Sequence, residues 1–553
     1  MRRPNQKRVA IVGLLIAVVS FSSVAATASG EASTSEVGEV AWSQLGDDID
    51  GDANSPGFGH SVAVSDDGTR VVIGSSAYEP GNDELSYVQV HEWDGSAWQQ
   101  LGTDISVTTT GFNAFGFSVA ISGDGNRVAV GDPYGPDGFD IGGVGVAETG
   151  PDDYPPGTVQ VFDWDGSTWQ QVGEPIEGTG AVTEGFPEFF GWSVALSSDG
   201  ERVVAGSTLQ ARAFDYDSVN GWTQTGNAIG STDQANGAVA ISADGNRVAV
   251  GPGLLPNVAM SGGEFVLQIF DYDVSDGWIQ VGSDFDGEDI PGLVGSEFAV
   301  GDIPGSSVAM SADGNRVVFT SIDISAESSS VRVMDYIDGD WNQVGDTISG
   351  TETSGDASFG YSLAISADGT RIAITAYSGL GGNVSETSYL QVGEWNGSAW
   401  RYDVELAPGL TLAMSADGNL IASGNVFFFE NPEQSPVLVY ALPASVSFDA
   451  GDGENAPVDM SGDRGSDATL PTSEPTRTGY TFLGWNTASD GSGTSYAAGD
   501  TYTLPASEGD TLYAQWQPIS TTTTTTTTTV PVEVTPPAAE PAEPVSDTPT
   551  FTG

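Results

Sequence analysis

Side chains able to do chemistry in this chain are almost all carboxylates: Asp and Glu number 76, against 15 Lys and Arg, two His and no Cys. Without Cys there is no disulfide, thiolate metal site or Cys nucleophile. Only His60 and His91 could supply imidazole, so a His-based active site or zinc site is not expected. Paired carboxylates could cleave glycosidic bonds, and alternating ones could enclose a hard cation. The clearest alternation is "DDIDGDAN" at 47–54, with Asp48, Asp50, Asp52 and Asn54. It falls in a connection between repeats, and no metal site is assigned to it. With this many acids some pair always lies at a useful distance, so composition does not separate an enzyme from a binding protein. No catalytic residue, cofactor-binding residue or metal ligand is assigned from the sequence.

The elements that must position any such group are repeated strands. A short motif recurs seven times: "SDDGTR" (65–70), "SGDGNR" (122–127), "SSDGER" (197–202), "SADGNR" (242–247), "SADGNR" (311–316), "SADGTR" (366–371) and "SADGNL" (415–420). Its glycines are Gly68, Gly125, Gly200, Gly245, Gly314, Gly369 and Gly418, about 58 residues apart on average, a blade-like repeat length. Apolar runs such as "SVAVS" and "RVVIG" flank the motif, and Asp-Gly between two such runs predicts a hairpin turn. Ser and Asp can bond nearby backbone amides there. The motif aspartates are therefore read as turn residues, not catalysts.

A second motif alternates with the first, as in "VQVFDWDGSTWQQVG" (159–173) and "VRVMDYIDGDWNQVG" (331–345). It also reads as strand, turn, strand, with a clear period of two. Two hairpins per repeat make a four-stranded antiparallel blade. Trp42, Trp98, Trp169, Trp222, Trp278, Trp341 and Trp400 recur at one position of this motif, which marks them as packing between blades. The seventh repeat lacks its tryptophan strand at 420–442, whereas "AWSQLGDDI" (41–49) stands alone before the first. The expected fold is all-β: a seven-bladed propeller over 40–443, closed by the N-terminal strand beside 437–442 so that two sheet edges vanish.

"FGHSVAVSDDGTRVVIGSSAY" (58–78), "FGFSVAISGDGNRVAVGDPY" (115–134), "FGWSVALSSDGERVVAGS" (190–207) and "FGYSLAISADGTRIAITAY" (359–377) resemble FG-GAP repeats, the propeller repeats of integrin α chains. The resemblance covers most of 58–443, and the repeats near 237, 306 and 410 lack the Phe-Gly. Many such repeats carry an aspartate-rich calcium loop. Here it is shortened to Ser-x-Asp-Gly, too few oxygens to enclose calcium, so no calcium site is carried over.

After Pro443 the character of the chain changes. The segment 445–517, with "RTGYTFLGWN" and "TLYAQW", resembles the Listeria–Bacteroides repeat, or internalin B-repeat, a small β-grasp-like module. Arg477, Thr478, Gly479, Tyr480, Phe482, Gly484, Trp485 and 512–516 carry the likeness, and Tyr480, Phe482, Trp485, Tyr513 and Trp516 are expected to form its core. That family occurs on bacterial surfaces and in secreted proteins. The Thr/Pro-rich tail 518–553 cannot build a core and reads as disordered.

Residues 1–28 read as a signal peptide: Arg2, Arg3, Lys7 and Arg8, then "VAIVGLLIAVVSF" (9–21), then "ATA" (26–28). No later stretch spans a bilayer, and no terminal sorting motif supports covalent anchoring. The formal net charge of −61 repels nucleic acid and anionic membranes, and reads as a solvation surface suited to salty surroundings. Two long acidic insertions, 132–157 and 285–307, are candidate functional loops. The expectation is a secreted or cell-envelope-associated monomer that binds an extracellular protein or polysaccharide through a rigid propeller. It is not expected to be an enzyme, since each Ser-x-Asp-Gly turn resembles the others and an active site needs one blade to differ. The alternative is an extracellular carbohydrate hydrolase or lyase; a surface-layer component shares the same composition.

Overall fold

The computed structural model describes residues 42–52, 57–76, 86–107, 114–135, 156–183, 186–230, 237–252, 266–285, 302–323, 328–350, 359–376, 389–406, 409–424, 436–462, 464–505 and 509–519. The expected signal peptide, nearly all of the tail and most of both long insertions lie outside these residues.

The described chain contains strands and turns and no helix. Before residue 443, seven antiparallel sheets each carry a path of four strands, and six of these paths follow chain order from inner to outer strand. The first sheet is Phe58–Val64, Arg70–Ser75, Tyr87–Trp93 and Trp98–Gln100. In the last sheet Thr411–Met414, Leu420–Gly424 and Val437–Ala441 take their outer strand from Ser43–Gln44, with Ser43 opposite Ala441 and Gln44 opposite Tyr440. Ile49 forms a further bridge to Val437. This is β-propeller architecture, and the pairing of 43–49 with 437–441 follows the sequence expectation.

The recurrent turns do local and long-range work. In the fourth sheet the Gly245 N–H closes on the Ser242 carbonyl at 2.9 Å, and the Ser242 hydroxyl meets Asp244 Oδ1 at 2.7 Å. Burial works against the Asp244 carboxylate, yet the Ser242 and Asn246 hydrogen bonds outweigh it and hold the carboxyl below its ordinary range. The second residue of each turn then bonds to the next sheet. Asp66 donates its N–H to the carbonyl of Gly123, Gly123 to Ser198, Ser198 to Ala243, Ala243 to Ala312, Ala312 to Ala367, and Ala367 to Ala416. Ala416 donates to Asp66 at 3.0 Å, which returns this series of bonds to its first member.

Arginines and tryptophans tie the sheets together further out. Arg127 grips Asp163 of its own sheet through Nε and Nη2 at 2.6 and 2.9 Å, reaches the Gly200 carbonyl of the next sheet at 2.9 Å, and lies 5.1 Å from the Tyr216 ring. Arg70, Arg202, Arg247, Arg316 and Arg371 each reach the turn glycine carbonyl of the next sheet in the same way. The Trp98 indole donates to the Leu45 carbonyl, and Trp169, Trp222, Trp278, Trp341 and Trp400 donate to carbonyls of the preceding sheet at 2.9–3.1 Å. Trp42 packs against the buried cluster that contains Leu390, Leu412 and Tyr440. The tryptophans are thus packing groups, as their shared position implied.

The C-terminal unit has a five-stranded mixed sheet in which Ala444–Asp449 runs parallel to Asp510–Pro518, beside a two-stranded sheet of Asp467–Thr469 and Thr501–Thr503. Its core is Val446, Phe448, Leu470, Trp485, Tyr502, Leu504 and Leu512, with Phe482 packed against it. Of the five expected core residues only Trp485 is fully buried; Tyr480, Phe482, Tyr513 and Trp516 are half-buried. The Arg477 guanidinium covers the Tyr480 ring at 4.0 Å, so that ring packs under a surface cation instead.

Candidate functional site

In the four sheets whose repeat carries Phe-Gly, the first strand enters at that end and leaves at a Ser-x-Asp-Gly turn. The turn end is occupied by the bonded turns, so chemistry must be sought at the entry end. There the residue after Phe-Gly is His60 in the first sheet, Phe117 in the second and Trp192 in the third. The His60 and Phe117 rings are 4.7 Å apart, and those of Phe117 and Trp192 are 4.6 Å apart. The series continues through Phe189, 6.0 Å from Trp192, to Tyr134, 5.5 Å from Phe189. The backbone of Phe189 takes φ = 51°, a left-handed conformation that costs a non-Gly residue about 1 kcal/mol or more. These five rings form a continuous aromatic arc across three sheets.

Asp132 lies beside the arc at the end of the strand Arg127–Asp132, only 1% exposed. Its Oδ1 accepts the N–H groups of Ala114, Tyr134 and Gly135 at 3.0–3.2 Å. Its Oδ2 is buried and has no hydrogen-bond partner among the described residues. Burial pushes the carboxyl up to about 6, against the pull of those three N–H bonds. The equivalent strand-end residues are Ser75, Ser207, Pro252, Ser321 and Ala376, so the second sheet alone among these carries an acid there. This is the departure from repetition that the turn motifs do not show.

A second buried carboxylate follows in the third sheet. Glu188 is 3% exposed; its Oε1 pairs with Arg212 at 2.8 Å and its Oε2 accepts both the N–H and the hydroxyl of Thr179. The Arg212 guanidinium sits 4.1 Å from the Phe190 ring. Glu188 is therefore fully engaged, and Asp132 is not.

Of the residues singled out by the sequence, His60 joins the arc and the others fall elsewhere or serve structure. His91 is buried in the third strand of its sheet, with Nε2 3.0 Å from Gln89 Oε1. Burial holds His60 and His91 down at about 4, with Asp104 working the other way on His91. Asp48 accepts Gln44, and the Asp52 N–H donates to the Tyr87 hydroxyl. Asn54 lies outside the described residues. No grouping of His, Asp and Glu that could hold a metal occurs among the described residues. Asp132 opens the 132–157 insertion that the sequence marked, but 136–155 lie outside the described residues.

Comparison with known proteins identifies one segment. Residues 445–515 match the Listeria-Bacteroides repeat domain. A putative membrane protein of Evansella cellulosilytica is 62% identical over 40 residues, 7% of this chain and 6% of that protein. The chain thus spans a small fraction of that curated relative. The periplasmic gluconolactonase PpgL of Pseudomonas aeruginosa is similar in structure with 14% identity and a TM-score of 0.41, covering 63% of this chain and 84% of that one. The β-propeller domain of Myceliophteria thermophila Cps50 (Swd1) gives 11% identity and a TM-score of 0.43, over 72% and 98% of the two chains. No helix among the described residues is long and apolar enough to cross a membrane.

Proposed function

We propose that the chain is a secreted or cell-envelope-associated binding protein, in which a propeller over 40–443 is the rigid scaffold and 445–517 an appended surface module. The finer fold reading is a seven-bladed ring of FG-GAP type, closed by the N-terminal strand. It is supported by the series of turn-to-turn bonds that returns to Asp66 and by the pairing of Ser43–Gln44 with Tyr440–Ala441. The observation that carries the binding reading is the aromatic arc with Asp132 beside it, a group of side chains in excess of what the repeats need. Partly exposed aromatic groups with one polar anchor recur in ligand sites.

A carbohydrate hydrolase or lyase is the second reading, and Asp132 is the reason. A carboxyl that burial lifts to about 6 is suited to donate a proton near neutral pH. The test is retention of the full chain on insoluble polysaccharides, cell walls and matrix proteins, with soluble sugar assayed in the same tubes. Retention on one material without release supports binding. Release that Asp132→Asn abolishes moves the chain to the second reading.

A further inference from the structure

Resting on the binding reading above, we propose that the arc of His60, Phe117, Trp192, Phe189 and Tyr134 is a stacking platform for a neutral pyranose unit of a polysaccharide, with Asp132 accepting one of its hydroxyls. Three features of the site converge on that class of ligand.

The first is shape and surface. Neighbouring rings lie 4.6–6.0 Å apart without a break, a run longer than a single packing pair, and His60, Phe117, Phe189 and Trp192 remain partly exposed. A sugar ring offers C–H groups on one face and hydroxyls at its edge, which suits aromatic faces flanked by an acceptor.

The second is the polar inventory. A buried oxygen without a donor is costly, and Asp132 Oδ2, two residues from Tyr134 of the arc, has no donor among the described residues. A hydroxyl is a donor of suitable size, and it can pair with a carboxyl in either protonation state.

The third is local charge, which separates a neutral ligand from a cation. The chain is strongly acidic overall, but exposed charges are screened within about 10 Å in ordinary salt. At the site itself Glu188 is already matched by Arg212, whose guanidinium stands 4.1 Å from the ring of Phe190, the residue after Phe189. His60 carries no charge at neutral pH. Among these described residues, the acid not already matched by a cation is the buried Asp132. An incoming ammonium group would find a resident cation and one acid, whereas a neutral polyol would find acceptor and faces.

Intrinsic tryptophan fluorescence and calorimetry of the full chain, titrated with hexasaccharides of glucose (α-1,4, β-1,3 and β-1,4 linked) and of N-acetylglucosamine, test the assignment. Choline chloride and arginine serve as cationic arms. One oligosaccharide should saturate. Trp192→Ala should weaken it about tenfold or more, with Trp192→Phe retaining part of the affinity. Asp132→Asn keeps Oδ1 for the three backbone donors but replaces Oδ2 by a donor. It should weaken binding several-fold while the melting temperature does not fall. Undiminished affinity in Asp132→Asn, saturation by choline or arginine in place of sugar, or no saturation by any of the four oligosaccharides overturns the proposal. The retention experiment above reports separately on the binding reading, since a protein or cell-wall ligand can still be retained when every oligosaccharide fails.

Discussion

Arg464 of the C-terminal unit donates its Nε–H to the carbonyl of Leu442 at 3.0 Å, across the point where the last propeller strand ends. Its Nη2 also reaches the Asn419 carbonyl at 3.3 Å and lies 3.8 Å from the Asp417 carboxylate. The side chain is 2% exposed. Burial pushes its guanidinium down, with Asp417 working the other way. The seventh turn is the one whose last residue is Leu420 instead of arginine. Next to Arg464, the Gly465 backbone lies against the Gly95 hairpin of the first sheet, so close that a Cβ on Gly465 would stand 2.6 Å from the Gly95 Cα. The 464–465 corner therefore touches both sheets that flank the closing seam.

Arg464→Ala should accordingly destabilise the propeller and not only the small unit. The part-buried Leu442 carbonyl loses its arginine donor while the Asn419 carbonyl keeps the Leu442 N–H, a cost of about 1–3 kcal/mol. Hydrogen exchange at Tyr440 and Ala441 should accelerate with it. Arg464→Lys keeps the charge but not the two-directional fork, and should fall between. Unchanged exchange at 440–441 in Arg464→Ala would show that the corner only rests on the propeller.

Removal of 42–49 tests closure from the other side. Leu45 and Ile49 are buried in the first core cluster, worth about 3–6 kcal/mol together. The Trp98 indole also loses its acceptor at Leu45. The shortened chain should melt at a lower temperature, in a single transition with the rest of the propeller. Equal melting of the two forms would refute the ring.

Much of this architecture is legible in the letters because its causes are local. "SADGNR" specifies its own turn through Ser242, Asp244 and Gly245, and the seven tryptophans announce a shared seat. The lone strand at 41–49 could be matched to 437–442 because one blade lacked what the other end supplied. The sixth letter of the motif was harder. Arg70 acts on Gly125 and Asn126, 55 and 56 residues away, and no periodicity within a repeat points there. The arc stayed hidden for a related reason. His60, Phe117 and Trp192 read as variable letters after Phe-Gly, and only the juxtaposition of three sheets makes them neighbours. Asp132 left a signal that could have been found by aligning the repeats, where an acid stands against Ser75, Ser207 and Ser321. In the C-terminal unit the aromatic letters drew attention to Tyr480 and Tyr513, whereas Val446 and Leu512 of the parallel pair fill the core.

Gly282 shows how the tryptophan seats constrain backbone. At φ = 77° it lies under Trp341, and an added Cβ would stand 2.6 Å from the indole Cδ1. Gly166 has φ = 94° with nothing within 4 Å of such a Cβ. Gly166→Ala should cost only the backbone term, about 1–2 kcal/mol. Gly282→Ala adds overpacking, for about 2–5 kcal/mol in all. Chemical denaturation of both variants measures the difference, and equal losses would mean the indole yields freely.

Stability against pH should report His60, His91 and Asp132, three groups whose titration burial shifts. His60 and His91 titrate near 4 in the fold, below the ordinary value of 6.5, so the unfolded chain binds more protons between those values. Their contribution to stability is present above about 6.5 and is lost as pH falls toward 4. Asp132 acts in the opposite sense. Its folded value of about 6 lies above the ordinary 3.8, so the fold holds the extra proton and loses stability as pH rises across that interval. Between pH 4 and 6 two histidines oppose one aspartate, and stability should rise with pH by about 1.4 kcal/mol per unit. Asp132→Asn removes the opposing member. The slope should then steepen toward about twice that value, and the variant should gain stability relative to the parent at pH 7 while differing little at pH 4. Urea midpoints at pH 4, 5, 6 and 7 for both proteins decide it: parallel curves would mean that Asp132 does not hold its proton in the folded state.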